Sequence, residues 1–260
     1  MRYLLAILVL LSILLPRGTA HATRIQELCD IQGVRPNQLI GYGLVVGLNG
    51  TGDRQQSRFT PQSVAAMLSR LGTAIDARSL QTRNVAAVMV TSTLPPFANP
   101  GQRIDVTVSS IGDAKSLVGG TLLQTPLIAG NRRRVYAVAQ GALLVGGFSA
   151  EGSSGSSVSL NHVTVGRIPA GAIVERRVGA KGLDGRALVL TMKSPSFVTA
   201  QRIVKAINAR FGAGTANATD PATIRLTRPT EMAHAVVEFI SEVQQLRVDA
   251  DSPVRVVVDE

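Results

Sequence analysis

The sequence predicts an α+β protein: an antiparallel, β-rich body followed by a C-terminal β-α-β-α-β unit. Three observations carry this. From residue 85 to 192 short β-branched and apolar runs alternate with Gly, Pro and Asn, the pattern of successive strands and turns. After residue 186 the rhythm changes, and two stretches place apolar residues three and four apart, as an amphipathic helix does. Between Gln32 and Asp53 six glycines frame the apolar run Leu44-Val45-Val46, which reads as a short buried strand with a glycine-built turn at each end. With 260 residues, 45% of them hydrophobic and 17% charged, the chain suits one large or two small domains. The expected organisation is an export signal over 1–22, a β-rich domain with one helix over 23–185, and an α+β domain over 186–260.

In chain order, Arg2 is followed by an apolar core from Tyr3 to Leu15 and by Ala20-His21-Ala22, a small-x-small cleavage site. The core is short for a membrane span, which takes about 20 apolar residues, and no later segment is longer. Cleavage is expected after Ala22, with a mature protein beginning at Thr23. Beyond the glycine-rich strand, Thr60-Pro61 opens a helix, Thr as cap and Pro in the first turn. Val64, Met67, Leu68 and Leu71 form one apolar stripe, expected to pack on a sheet, and Gly72 ends the helix. Strands are expected at 85–93, 103–109, 120–128, 135–146, 157–165, 168–174 and 186–192. In the second of these Ile104, Val106 and Val108 share one face and Arg103, Asp105 and Thr107 the other. In the last domain a helix carries Ala200, Ile203, Ile207 and Phe211 and closes at Gly212. A short strand at 222–227 leads to Thr230, placed to cap a helix bearing Val236, Ile240 and Val243, and Val254–Val258 is the final strand.

The formal charge is +10, and lysine occurs only at 115, 181, 193 and 205, so arginine dominates. Residues 23–185 hold 16 basic and 9 acidic side chains and residues 186–260 hold 9 and 8, which concentrates the positive field in the first domain. Such a field favours acidic partners, while an export signal argues against nucleic acid as one of them. Arg132-Arg133-Arg134 reads as a solvated turn that protects a strand edge.

The motifs of catalysis and cofactor binding fail on their spacing. Gly41, Gly43 and Gly47 give G-x-G-x-x-x-G with no helix opening behind them, unlike a dinucleotide fingerprint, and no Gly-Lys-Ser/Thr follows as in a phosphate loop. Gly147-Phe148-Ser149-Ala150-Glu151 lacks the final glycine of a nucleophile elbow, and Gly152 to Ser157 reads as a flexible tip. Cys29 is the only cysteine, so an internal disulfide is impossible, and it reads as a buried free thiol. His162 and His234 have no ligand at metal-binding spacing. No catalytic residue, cofactor or metal is expected.

Residues 31–53, FTPQSVAAMLSRLG (59–72), NVAAVMVTSTLPPFANPGQRIDVTVSSIGDAKSLVGGTLLQTPL (84–127) and VYAVAQGALLVGGFSA (135–150) together resemble the flagellar P-ring protein family, in the family's order. The resemblance runs from Arg24 to the end. It implies a non-enzymatic subunit of the periplasmic ring around the flagellar rod, acting as a bushing in the peptidoglycan layer. The implied partners are further copies of itself, the rod, the L-ring protein and peptidoglycan, with no nucleic acid and no membrane span. It also implies basic sites facing the rod at Arg83, in QTRNVAAV, and Lys115, in GDAKSL; at the first the family pattern has Lys, so the charge is kept but its geometry differs. Family chains run on beyond the point matched by RVVVDE, so a shortened working form, a fragment and a truncated product all fit an end at Glu260. The alternative function is a periplasmic binding module for peptidoglycan or another acidic polymer; a secreted nucleotide-dependent oxidoreductase rests on the glycine run alone.

Overall fold

The structure is a computed structural model that describes residues 22–54, 57, 59–130, 134–146, 148–151, 157–160, 163–179, 187–232 and 234–251. The strands are β1 (Thr23–Arg24), β2 (Cys29–Ile31), β3 (Asn37–Val46), β4 (Val85–Leu94), β5 (Arg103–Ser110), β6 (Thr121–Ala129), β7 (Val135–Ala142), β8 (Phe148–Glu151), β9 (Ser157–Leu160), β10 (Val165–Val174), β11 (Ala187–Met192), β12 (Ala216–Asp220), β13 (Thr223–Thr227) and β14 (Arg247–Val248). The helices are α1 (Ile25–Leu28), α2 (Phe59–Arg70), α3 (Phe197–Phe211) and α4 (Val236–Gln245). The fold is α+β and rich in strands, and the chain divides into two compact units.

The first unit, residues 34–180, is built on a closed six-stranded antiparallel barrel in the order β10-β5-β4-β3-β6-β7. Closure removes free sheet edges. The alternation in β5 sends Ile104, Val106 and Val108 inward, where they join Leu39, Val45, Val88, Val90, Leu122, Leu127, Ala139 and Ile168 in one core. β3 is ten residues long and passes straight through Gly41 and Gly43, so the turn expected before Leu44 is strand interior, while Gly47 and Gly50, with φ 83° and 71°, lie beyond the strand as expected. Gly41 and Gly43 both face β6. A Cβ on Gly41 would lie 2.6 Å from the Pro126 carbonyl oxygen, and one on Gly43 would overlap the Thr125 hydroxyl. The β3–β6 register shifts between Ile40 and Val45 at this crossing. Glycine therefore serves close backbone approach in a narrow barrel.

Two expectations for this unit change. The stripe on α2 is not core: Thr60 is the helix's buried residue, Val64, Met67 and Leu68 are half-buried, and Leu71 is 74% exposed. The helix rests on the outside of the barrel, where Tyr42 and Ser63 join hydroxyl to hydroxyl at 2.6 Å. The stretch expected as strands 157–165 and 168–174 is instead the short β9, which pairs with β8, and the continuous β10 with a bulge between Ile168 and Ala172. Residues 131–133 and 152–156 lie outside the described set, and with them most of the arginine triplet and the expected flexible tip.

The second unit joins the segment through Gly33 to the chain from residue 181 onward. Its sheet has the order β12-β13-β11-β2, so Cys29–Ile31, placed by sequence with the β-rich domain, pairs instead with Ala187–Met192. α3 begins at Ser196, whose hydroxyl accepts from the Thr199 N–H at 3.3 Å, and ends at Gly212 with φ 102°, a conformation glycine adopts without strain. Its buried face is Thr199, Ala200, Ile203 and Ile207. The Asn208 side chain bonds both the N–H and the carbonyl of Ala216, at 2.8 and 3.0 Å, fixing helix to sheet. The strand expected at 222–227 is β13, and β12, which the sequence did not suggest, pairs with it as a hairpin. Thr230 begins a short 3₁₀ turn and does not cap α4, which starts at Val236. Phe239 is fully buried in α4 and meets Phe211 edge-on at 5.0 Å. The final strand expected at 254–258 lies outside the described residues.

Candidate functional site

The antiparallel order brings three connections to one end of the barrel: residues 47–58 after β3, 71–84 before β4 and 111–120 after β5. Their shared element is the run Thr51-Gly52-Asp53. The Gly52 N–H donates to the Arg83 carbonyl at 2.7 Å, and the Thr51 carbonyl accepts from the Lys115 N–H at 2.8 Å. The Thr51 hydroxyl donates to the Ser116 carbonyl at 2.9 Å. Arg83 and Lys115, far apart in sequence, are thus fastened through their main chains to consecutive residues of one segment. Both side chains are exposed, and neither forms an ion pair with another described residue.

Asp53 holds this end together and was not singled out from the sequence. Its side chain is 0% exposed. Its Oδ2 accepts from the Thr60 hydroxyl at 2.6 Å and from the Ala87 N–H at 2.8 Å. Its own N–H donates to the Val85 carbonyl at 2.8 Å, and its carbonyl accepts from the Thr82 hydroxyl at 3.2 Å. The carboxylate therefore ties helix α2 and the start of β4 to one point. Its other oxygen, Oδ1, has no hydrogen-bond partner among the described residues and packs against Gly112, where any Cβ would collide with the carboxylate. The one available sequence signal was an acidic residue closing the run Gly50-Thr51-Gly52; the pairing with Thr60 belongs to the fold.

A second carboxylate organises the outside of the same end. Asp113 Oδ1 accepts from the Ser57 hydroxyl at 2.6 Å and from the Arg54 N–H at 2.9 Å. The Ser57 bond first, then that of Arg54, holds its carboxyl below the usual carboxylate range. Arg54 is exposed, so a third cation stands where Arg83 and Lys115 do. No group of three or more His, Cys, Asp or Glu able to hold a metal ion occurs among the described residues. Cys29 lies in the other unit, buried on strand β2 of its sheet, and burial with the neighbouring Asp30 pushes its thiol up to about 11.

A closed barrel carrying hydrogen-bonded loops that present arginine and lysine to solvent defines a β-barrel scaffold with exposed basic side chains at one end. A model of the family described as "Flagellar P-ring protein" matches residues 24–260. A flagellar P-ring protein of Anaeromyxobacter sp. (strain K) is 53% identical over 237 residues, covering 91% of this chain and 63% of that protein. One from Geobacter sulfurreducens is 48% identical over 260 residues, covering 100% of this chain and 70% of its own. One from Nitrosomonas europaea is 56% identical over 229 residues, covering 87% and 61%. The chain belongs to the flagellar P-ring protein family, and it spans about two-thirds of the length of these curated relatives.

Proposed function

We propose that the chain is a structural, non-enzymatic subunit of the periplasmic ring that surrounds the flagellar rod and serves as its bushing. The observation that carries this reading is the family match over residues 24–260. Export with cleavage after Ala22 delivers it to the periplasm, and its partners are copies of itself, the rod, the L-ring protein and the peptidoglycan around it. Among the described residues no helix is long and apolar enough to cross a membrane. The domain boundary near residue 185 and a C-terminal β-α-β-α-β unit completed by residues 254–258 belong to the same proposal.

Arg83 and Lys115 face the rod in this reading, with Arg54 beside them. Their side chains are solvent-exposed while their main chains are anchored to Thr51 and Gly52, so charge is presented from a rigid base. Cations repeated around a closed ring attract an acidic rod without a deep pocket to catch it, a mode suited to rotation. The alternative, a monomeric periplasmic module that binds peptidoglycan or another acidic polymer, is separated by self-association. Cross-linking intact basal bodies should join the chain into a ladder of multiples of its own mass. A chain that cross-links to cell wall and never to itself would favour the binding module.

A further inference from the structure

The outer wall of the barrel carries a groove of about 510 Å³ that the ring function does not use. Strand register builds its floor. Arg167 on β10 lies opposite Thr107 on β5, which lies opposite Thr91 on β4. One step along, Thr93 lies opposite Gln38 of β3, and their side chains bond at 3.3 Å. Ile104 and Val106 point inward, so Arg103, Asp105 and Thr107 point out into the groove.

The rim is built rather than incidental. At the bulge in β10, Ala170 has φ 50°, a left-handed conformation costly for a residue with a Cβ. Asp105 Oδ1 accepts from the Ala170 N–H at 2.8 Å, and Arg103 donates through Nη1 to the Ala170 carbonyl at 3.4 Å. Asp105 is thereby partly occupied and Arg103 is held at the groove's edge with donors to spare. Neither Arg103 nor Arg167 forms an ion pair with another described residue.

Two guanidiniums beside threonine hydroxyls and a glutamine amide are donors suited to carboxylates flanked by amides and hydroxyls. Among the described residues the lining has no aromatic side chain to stack on a neutral sugar or to anchor a protein partner. Its volume fits a ligand of a few residues rather than a protein face. We infer that this groove binds a short carboxylate-bearing glycopeptide, with Arg103 and Arg167 taking the carboxylates. This rests on the proposed peptidoglycan surroundings, and it assigns that contact to the barrel wall rather than to the Arg83–Lys115 end.

The test is titration of the whole chain with a soluble disaccharide-tetrapeptide muropeptide, followed by amide shifts or calorimetry, beside the same compound with its carboxylates amidated. Arg103→Gln/Arg167→Gln should weaken binding about tenfold or more, as the loss of charge-assisted hydrogen bonds does, and amidation should do the same to the unaltered chain. Arg167→Gln alone leaves the Ala170 bulge untouched and should give an intermediate loss, with unchanged thermal unfolding. Equal binding of the amidated compound, equal binding of polyglutamate, or full binding by the double variant would overturn the assignment. Rings scored by electron microscopy in cells carrying the unaltered chain report on the ring function separately: rings formed by a chain that binds no muropeptide sink the groove alone.

Discussion

Arg83 and Lys115 hold consecutive residues of one segment: the Arg83 carbonyl accepts from the Gly52 N–H at 2.7 Å, and the Lys115 N–H donates to the Thr51 carbonyl at 2.8 Å. Because only main-chain atoms make these bonds, the side chains can be changed without dismantling the loops. Arg83→Glu/Lys115→Glu should shift stability by no more than about 0.5 kcal/mol, as exposed substitutions do. It should nevertheless reduce the number of rods carrying a periplasmic ring. Urea melts and ring counts check the two halves, and a full complement of rings would remove these residues from the rod contact.

Asp53 predicts a much larger loss. Asp53→Ala leaves the Ala87 N–H and the Thr60 hydroxyl without their shared acceptor in a buried place. The cost should be about 2–4 kcal/mol, read from the urea midpoint. Thr60→Val should cost about 1 kcal/mol, and little more once Asp53 is already alanine. Full additivity of the two would mean that they do not act as a pair.

Gly43→Ala places a methyl group on the Thr125 hydroxyl, which is itself buried and donates to the Leu123 carbonyl at 2.7 Å. Overpacking of this kind costs about 1–3 kcal/mol. Adding Thr125→Ala removes the obstructing atoms and should recover part of the loss in thermal unfolding. Gly43→Ala with no loss would contradict the close crossing of β3 and β6.

Cys29, with its thiol raised to about 11, should resist alkylation in the native chain at neutral pH and react on unfolding. Since the folded value lies above the unfolded one, the stability it contributes is fully present below the unfolded thiol's range. That contribution disappears as pH climbs toward about 11. Cys29→Ser should flatten that alkaline loss.

The alternation in β5 and the apolar stripe of α3 were legible in the sequence because each is a local pattern: Ile104, Val106 and Val108 at period two, and Ala200, Ile203 and Ile207 at helical spacing. Barrel closure was not. The period of a strand tells which residues face inward, but not that β10 turns back to meet both β5 and β7. The same limit hid the pairing of Cys29–Ile31 with β11, since nothing in three residues marks a partner so distant in the chain. Gly41 and Gly43 read as turn formers because strand glycines forced by a neighbouring backbone look identical in sequence. At the candidate site, Arg83 and Lys115 came from the family resemblance, whereas Asp53 and Arg54 became visible when the loops were brought together.

Electron microscopy of basal bodies tests the central claim most directly, using a strain that lacks this gene and re-expresses the 260-residue chain. The account predicts a ring around the rod at the level of the peptidoglycan, restored together with swimming. Bare rods in cells whose periplasm contains the folded chain would contradict it.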